Sequence, residues 1–181
     1  VLRRSFPDAR IDWLVGTTCA PLIAHDSDLD ECVLFDRRRL GRAWRSASSL
    51  RTLKGLLARL RRGNYDWALD AQGLLRSGLF ARVTGARVRA GFADAREGAS
   101  LFYTHPVAVE PEQHTVDRNI ALARRLGIDA RPADMTLQVS QPASGFAEAF
   151  VRQHALSGGF LVCVPPTRWI TKLYPLRHWR R

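Results

Sequence analysis

Apolar residues fall along this chain in two rhythms. Short apolar runs at Ile11–Val15, Glu31–Phe35, Trp67–Asp70, Val88–Gly91 and Phe160–Val164 are bounded by Gly, Pro, Asp, Asn or Ser and read as strands. Between them the apolar positions recur at helical spacing. Over Ser48–Arg62, Leu50, Leu53, Leu57 and Leu60 make one stripe, with Arg51, Lys54 and Arg61 mostly off it. A short helix follows at Ser77–Val83, or from Arg76. Over Gln113–Leu126, Val116, Ile120 and Ala123 share a face and Gly127 reads as the C-cap. A further helix is expected over Gly145–His154, with Gln141-Pro142-Ala143-Ser144 before it as a linker. Strands alternating with helices predict an α/β fold, a Rossmann-like and mainly parallel sheet with helices on both faces. The first four strands are expected in one sheet. Ser5-Phe6-Pro7-Asp8-Ala9 reads as the turn after a helix, so the chain opens inside a unit that ordinarily begins strand, Gly turn, helix.

Charge changes this picture locally. The net charge is +11 over 181 residues, and it is concentrated. Between residues 37 and 62 lie Arg37, Arg38, Arg39, Arg42, Arg45, Arg51, Lys54, Arg59, Arg61 and Arg62 without one acid, while the rest of the chain is nearly balanced. Such a patch attracts anions: nucleic acid, anionic lipid, or sugars carrying phosphate or carboxylate. Lys54 and Lys172 are the only lysines, so part of the Arg excess reflects general Arg usage. Cys19, Cys32 and Cys163 are widely spaced and odd in number, which fits buried thiols in a reducing compartment better than disulfides or zinc. No apolar run approaches the roughly 18 residues of a membrane span, and no apolar segment follows Val1-Leu2-Arg3-Arg4 as in a signal peptide.

Four clusters carry candidate chemistry. In Asp70-Ala71-Gln72-Gly73-Leu74, Asp70 and Gln72 sit at a strand's carboxyl end, suited to a polyhydroxylated ligand, and Gly73 permits close backbone approach. The same residues also fit a helix-capping turn. In Thr167–Pro175, Thr167, Arg168, Thr171 and Lys172 follow a strand and suit a phosphate or pyrophosphate, or form a solvated basic loop. Ala95-Arg96-Glu97-Gly98-Ala99 is the third. The fourth puts His114, Asp117 and Arg118 on one helical face, for anion binding or capping. A lone His–Asp pair lacks a third metal ligand, so no metal is assigned. No Ser-His-Asp order, nucleophile elbow or Walker loop is present.

Taken in order, these residues resemble the lipopolysaccharide heptosyltransferases of glycosyltransferase family 9. The order comprises a Phe-Pro-Asp-Ala opening before a strand, a basic amphipathic helix, and N-Y-D-x-x-x-D-A-Q-G-L-x-x-S at Asn64–Ser77. G-x-x-x-A-R-E at Gly91–Glu97, Q-H-x-V-x-R at Gln113–Arg118 and T-R-W-x-T-K-x-Y-P at Thr167–Pro175 follow, with Tyr174 where the family has Trp. The likeness is greatest to the type that adds the first heptose to Kdo. It implies a GT-B enzyme whose acceptor-binding Rossmann-like domain covers 1–155, while 156–181 opens the nucleotide-sugar domain, both ends being truncated. It implies ADP-heptose as donor, a Kdo-lipid A acceptor, inversion at the anomeric carbon and no metal or other cofactor. The general base lies in a first strand–helix loop before Val1, and Lys172 faces the phosphates of the sugar nucleotide. Asp70, Gln72, Gly73, Arg96, His114, Arg118, Thr167, Arg168 and Thr171 become substrate-binding candidates. Arg37, Arg38, Arg42 and Arg45 are candidates for the anionic acceptor. The resemblance further implies a cytoplasmic monomer, peripheral to the inner membrane, without nucleic acid, and no activity in this chain alone.

The alternative is a basic α/β domain that binds nucleic acid or a membrane surface. Nucleic acid calls for stacking aromatics among the arginines, and only Phe35 and Trp44 lie near. A membrane-surface helix calls for bulky apolar residues opposite the bases, and 48–62 offers Leu alone, which a core can absorb.

Overall fold

In the computed structural model, residues 1–41, 45–164, 171 and 178 are described. They fall into two compact units, Val1–Gln138 and Val139–Arg181. The first unit opens with a one-turn helix, α1 (Leu2–Ser5), and continues β1 (Asp12–Gly16), β2 (Glu31–Phe35), α2 (Arg37–Leu40), α3 (Ala47–Arg62), β3 (Trp67–Asp70), α4 (Leu75–Thr84), β4 (Val88–Phe92), β5 (His105–Val107) and α5 (Thr115–Arg125). The second contains α6 (Gln141–Gln153). Every ladder is parallel, as the alternation of strands and helices requires.

The single sheet expected from the sequence is two ladders instead. β1 pairs with β2, with Leu14 opposite Val33, and β3, β4 and β5 form a second ladder in that order. No ladder joins β1 to β3 among the described residues. Side chains bridge them: the Tyr65 hydroxyl donates to Asp12 at 2.6 Å, and the rings of Phe6 and Trp67 lie 5.6 Å apart.

Helices cover both faces. On one, α3 and α4 bury Val33, Leu56, Leu60 and Phe80, with Leu14, Phe35, Leu40, Leu53 and Leu57 packed around them. The stripe of α3 is thus rotated from the expected one: Leu56 and Leu60 lie at its centre and Leu50 is exposed. On the other face α5 brings Leu122 against Phe92 and Val107. Truncating a side chain such as Leu60 to Ala would cost about 2–5 kcal/mol through lost transfer and the cavity left behind.

Caps set the element ends. Ser46 receives the Ser49 amide at the start of α3, and Asp36 receives the Arg38 and Arg39 amides at the start of α2. Gly127, at φ +79°, follows α5 as expected. Gln141–Ser144, expected as a linker, is the first turn of α6: Ser140 caps it and Pro142 occupies an early helical position where no amide is needed. Among the described residues the expected strand at 160–164 has no ladder, and Leu161 and Val164 are exposed. A strand exists only by pairing, and among the described residues its unit offers no other extended segment. β5, which the sequence reading missed, is only three residues long and contains Pro106. Cys19 and Cys163 are exposed and Cys32 half-buried, so the thiols are free but not buried as expected.

Candidate functional site

The carboxyl ends of β2, β3 and β4 gather the candidate residues of the first unit. The loop after β3 is shaped from inside. Asp70 is buried, at 5% exposure, and both its oxygens are engaged. One accepts the amides of Gln72 (2.9 Å) and Gly73 (3.1 Å); the other accepts the Tyr103 hydroxyl at 2.6 Å. Burial, then the bond to Asp70, pushes the Tyr103 hydroxyl far above its ordinary range, so it stays a donor. The ring of Tyr103 lies over Gly91, where an added Cβ would come within 2.5 Å of it. Gly73 takes φ +65°, a left-handed conformation that L side chains rarely adopt. Its carbonyl accepts the Arg96 amide at 2.9 Å.

The start of α4 is tied to the loop after β4. The Ser77 hydroxyl accepts the Leu74 amide and donates to the Leu74 carbonyl, and the Glu97 carboxylate accepts the Leu75 amide at 3.2 Å. Glu97 and Gly98 both sit at positive φ. This chain of contacts leaves the Gln72 side chain exposed, and that of Arg96 is exposed without a hydrogen bond among the described residues. These two side chains are the groups the loop offers outward, while Gly73 is buried with its amide and carbonyl both engaged. Asp70 is the anchor beneath them.

Arg76 joins this loop to the next strand end. Its guanidinium lies 5.7 Å from the centroid of the Phe35 ring, the last residue of β2. Asp36 and α2 follow at once, so Arg37, Arg38 and Arg39 are exposed beside the β3 loop. The basic run is not one patch, however. α3 has 16 residues and so spans about 24 Å, returning from the carboxyl to the amino ends of the strands. At that far end Arg59 pairs with Glu31, and Arg61 donates to the Thr84 carbonyl. The run therefore divides, and Arg37–Arg39 are its share at the site. Arg45 is exposed and takes part in a contact of its own; Arg42 lies outside the described residues.

The helical cluster is also used internally. His114 caps α5, its Nδ1 accepting the Val116 amide at 3.3 Å. One nitrogen of Arg118 donates to both oxygens of Asp94, at 2.6 and 2.9 Å, and its guanidinium lies 4.7 Å over the Phe92 ring. The bond from Arg118 holds the Asp94 carboxyl below its ordinary range. Thr171 is exposed in the second unit, while Thr167, Arg168 and Lys172 lie outside the described residues. Among the described residues no cluster of His, Cys, Asp and Glu could hold a metal ion, and no helix is long and apolar enough to cross a membrane.

The model of glycosyltransferase family 9 (heptosyltransferase) matches residues 54–181. The chain belongs to glycosyltransferase family 9. It is 28% identical to lipopolysaccharide heptosyltransferase 1 of Escherichia coli K12, over 98% of this chain and 55% of that protein. With lipopolysaccharide heptosyltransferase 1 of Pseudomonas aeruginosa it shares 30% identity, over 98% and 49% of the two chains. Among solved structures, E. coli heptosyltransferase WaaC with ADP-2-deoxy-2-fluoro heptose superposes with a TM-score of 0.73 at 28% identity, covering 99% of this chain and 56% of that one. The chain thus spans about half the length of the relatives it matches. Its parallel α/β architecture accords with the N-terminal half of a GT-B enzyme.

In this family 9 chain three of the quoted motifs fall at sheet edges and helix starts, and Thr167–Pro175 lies, but for Thr171, outside the described residues. The D-A-Q-G segment is the loop after β3, A-R-E the loop after β4, and Q-H-x-V-x-R the start of α5. Three residues that shape the site escaped the sequence reading as site residues: Tyr103, Arg76 and Glu97. Arg76 and Glu97 lay inside quoted motifs. Tyr103 lay in the continuation of the Gly91–Glu97 motif through Ser100-Leu101-Phe102-Tyr103, but its bond to Asp70 crosses 33 residues and no local pattern marks it.

Proposed function

We propose that the protein to which this chain belongs transfers heptose from ADP-heptose to the Kdo of the lipopolysaccharide inner core, and that this chain carries most of its acceptor side. The observation that carries this reading is the family 9 match over residues 54–181, with relatives named lipopolysaccharide heptosyltransferase 1 covering 98% of the chain. The exposed Arg37, Arg38 and Arg39 beside the β3 loop support it, since a Kdo-lipid A acceptor presents carboxylates and phosphates. The exposed side chains of Gln72 and Arg96 suit sugar hydroxyls and acidic groups at the same edge.

In the mechanism we infer, a carboxylate from the first strand–helix loop of the family takes the proton of the acceptor hydroxyl. The oxygen attacks the anomeric carbon, the bond to the pyrophosphate breaks, and ADP leaves with inversion. Lys172 faces that departing charge, with Thr167, Arg168 and Thr171 around the phosphates, and no metal takes part. Residues 1–155 serve as acceptor domain and 156–181 open the donor domain. The enzyme works as a monomer at the cytoplasmic face of the inner membrane. With about half the family's length, the 181-residue chain alone transfers nothing.

The test is direct. The complete protein is incubated with ADP-heptose and Kdo-lipid A, and the products are read by mass spectrometry. One added heptose and stoichiometric ADP are expected, with none from the 181-residue chain. Absence of transfer by the complete protein would overturn the reading, as would transfer by the chain alone for its division of labour. Salt-sensitive binding of single-stranded DNA at the Arg37–Arg39 edge would favour the nucleic-acid alternative.

A further inference from the structure

Arg96 stands between two acids, Asp94 two residues before it and Glu97 directly after it. Carboxylates so near on one loop are built-in competitors for any anion that the guanidinium would bind. Among the described residues neither competes: the Arg96 side chain is exposed and has no hydrogen bond or ion pair. Each acid is held elsewhere, and by a different part of the fold.

Asp94 is held by α5. Both its oxygens accept from one nitrogen of Arg118, at 2.6 and 2.9 Å. Arg118 is itself fixed: its other terminal nitrogen donates to the Pro111 carbonyl at 3.2 Å, and its guanidinium lies 4.7 Å from the centroid of the Phe92 ring. The bond from Arg118 is the main cause that keeps the Asp94 carboxyl below its ordinary range, and the charge of Arg96 is a smaller one, so Arg96 lies within electrostatic reach of that acid. Glu97 is held by α4. It sits at φ +58° with Gly98 at +76°, and such a left-handed backbone favours Asn or Gly, not Glu. The turn brings its carboxylate to the Leu75 amide, 3.2 Å away. Leu75 opens α4, so its amide is one of the unpaired donors at the positive end of that helix, and Leu74 before it has no side-chain acceptor to offer. The turn is pinned on both sides. The Arg96 amide donates to the Gly73 carbonyl at 2.9 Å, and the carbonyl of buried Ala99 lies 2.9 Å from where a Cβ on Gly78 would stand. A strained residue persists where its surroundings over-determine it, and at a functional site the strain serves a purpose.

We propose that Arg118 and Glu97 are positioning residues that act through Arg96. Arg118 holds Asp94 away, the turn at Glu97 carries its own carboxylate away, and the Arg96 guanidinium stays open for a carboxylate or phosphate of the acceptor. Its planar fork suits both groups. That the ligand is the acceptor rests on the transferase reading; that the guanidinium is kept open rests on the two held acids alone. Arg118, a substrate-binding candidate in the sequence, therefore acts without touching the ligand. The A-R-E and Q-H-x-V-x-R segments, far apart in the chain, converge on one guanidinium.

The test frees each acid in turn. Arg118→Leu frees Asp94 and keeps an apolar side chain against Phe92. Leu75→Pro frees Glu97: proline suits the first position of a helix, lacks the amide that Glu97 uses, and follows Leu74 in the extended conformation that a proline requires before it. In the 181-residue chain, phenylglyoxal labelling of Arg96 is read by peptide mass spectrometry. Each variant should label Arg96 about two- to sixfold more slowly, the range over which an exposed ion pair competes for a guanidinium. Asp94→Asn added to the first and Glu97→Gln added to the second should restore the wild-type rate. In the complete enzyme each release should raise the acceptor KM by a similar factor, leave the ADP-heptose KM unmoved, and be reversed by the same second substitution. With Arg96→Ala present, neither release should add to the acceptor KM. Unchanged labelling, or a loss that neutralising the freed acid does not reverse, would overturn the inference. Should Arg118→Leu unfold, Leu75→Pro, on another helix, decides alone. Labelling that follows the pattern while the acceptor KM does not would overturn the role of Arg96 at the acceptor. A complete protein that transfers no heptose would sink the transferase reading, with labelling still deciding whether the guanidinium is kept open.

Discussion

Replacing Tyr103 by Phe tests whether Asp70 is a buried anchor or a ligand-binding group. The substitution removes one hydroxyl that donates to a buried carboxylate at 2.6 Å, and leaves the ring over Gly91. Asp70 keeps two amide donors, so its charge is weakened in support and not abandoned. A hydrogen bond to a charged group contributes about 1.5–3 kcal/mol net. The loss should therefore be about 2 kcal/mol, a fall in Tm of roughly 4–8 °C for a domain of this size. Asp70→Ala removes the acceptor of three bonds at once and should cost about 3–5 kcal/mol, near the limit at which the first unit stays folded. Asp70→Asn keeps the shape, and in a double-mutant cycle with Tyr103→Phe it should show a coupling of about 1–2 kcal/mol. The assay is urea unfolding of the 181-residue chain, followed by fluorescence. A Tyr103→Phe loss below about 0.5 kcal/mol, the size of an ordinary surface change, would refute the reasoning. So would an Asp70→Asn protein of normal stability whose complete form has lost acceptor affinity, because the carboxylate would then face the ligand.

Other outcomes follow from the same structure. Burial, then the bond to Asp12, pushes the Tyr65 hydroxyl up to about 12 from its ordinary 10.0. The folded state holds that proton more tightly, so its stabilising contribution is complete below pH 10 and is lost as pH rises through about 12. Tyr65→Phe should flatten the alkaline limb of a stability–pH curve, and an unchanged limb would exclude Tyr65 as its source. In the complete enzyme, charge reversal at Arg37, Arg38 and Arg39 should raise the acceptor KM far more than the ADP-heptose KM, with equal effects counting against an acceptor surface. Also in the complete enzyme, Lys172→Ala should lower kcat by roughly 10²–10³, the scale of one lost charge-stabilising donor. Lys172→Arg should recover only part of it, since a planar fork does not occupy the point position of an ammonium. A near-normal kcat in Lys172→Ala would assign that cluster to a solvated loop.

What the sequence determined by itself is what short-range physics controls. β2 and β3 are bounded by turn residues on both sides, and their limits were legible without a structure. The 3.6-residue period placed α3 and α5, and Gly127 marked the end of α5, because helix stripes and left-handed caps are local demands. The parallel α/β class followed from alternation alone. Where local rules had two solutions, tertiary contacts chose. Pro142 reads equally as a linker residue or as an early helical one, and only the folded backbone distinguishes them. The Phe160–Val164 run has strand composition, yet a strand is a relation between two segments and composition supplies one. The division of the basic run was likewise invisible: within one run, Arg59 near the end of α3 meets Glu31, while Arg37 at the start of α2 meets solvent. Asp70 is the clearest case. Its position at a strand's carboxyl end was written in the sequence, but its direction was set by Tyr103, 33 residues on, and by the space over Gly91 that admits the ring. Whether a carboxylate faces a ligand or the core depends on which donors the fold carries to it, and those donors arrive from elements that share no local pattern with it.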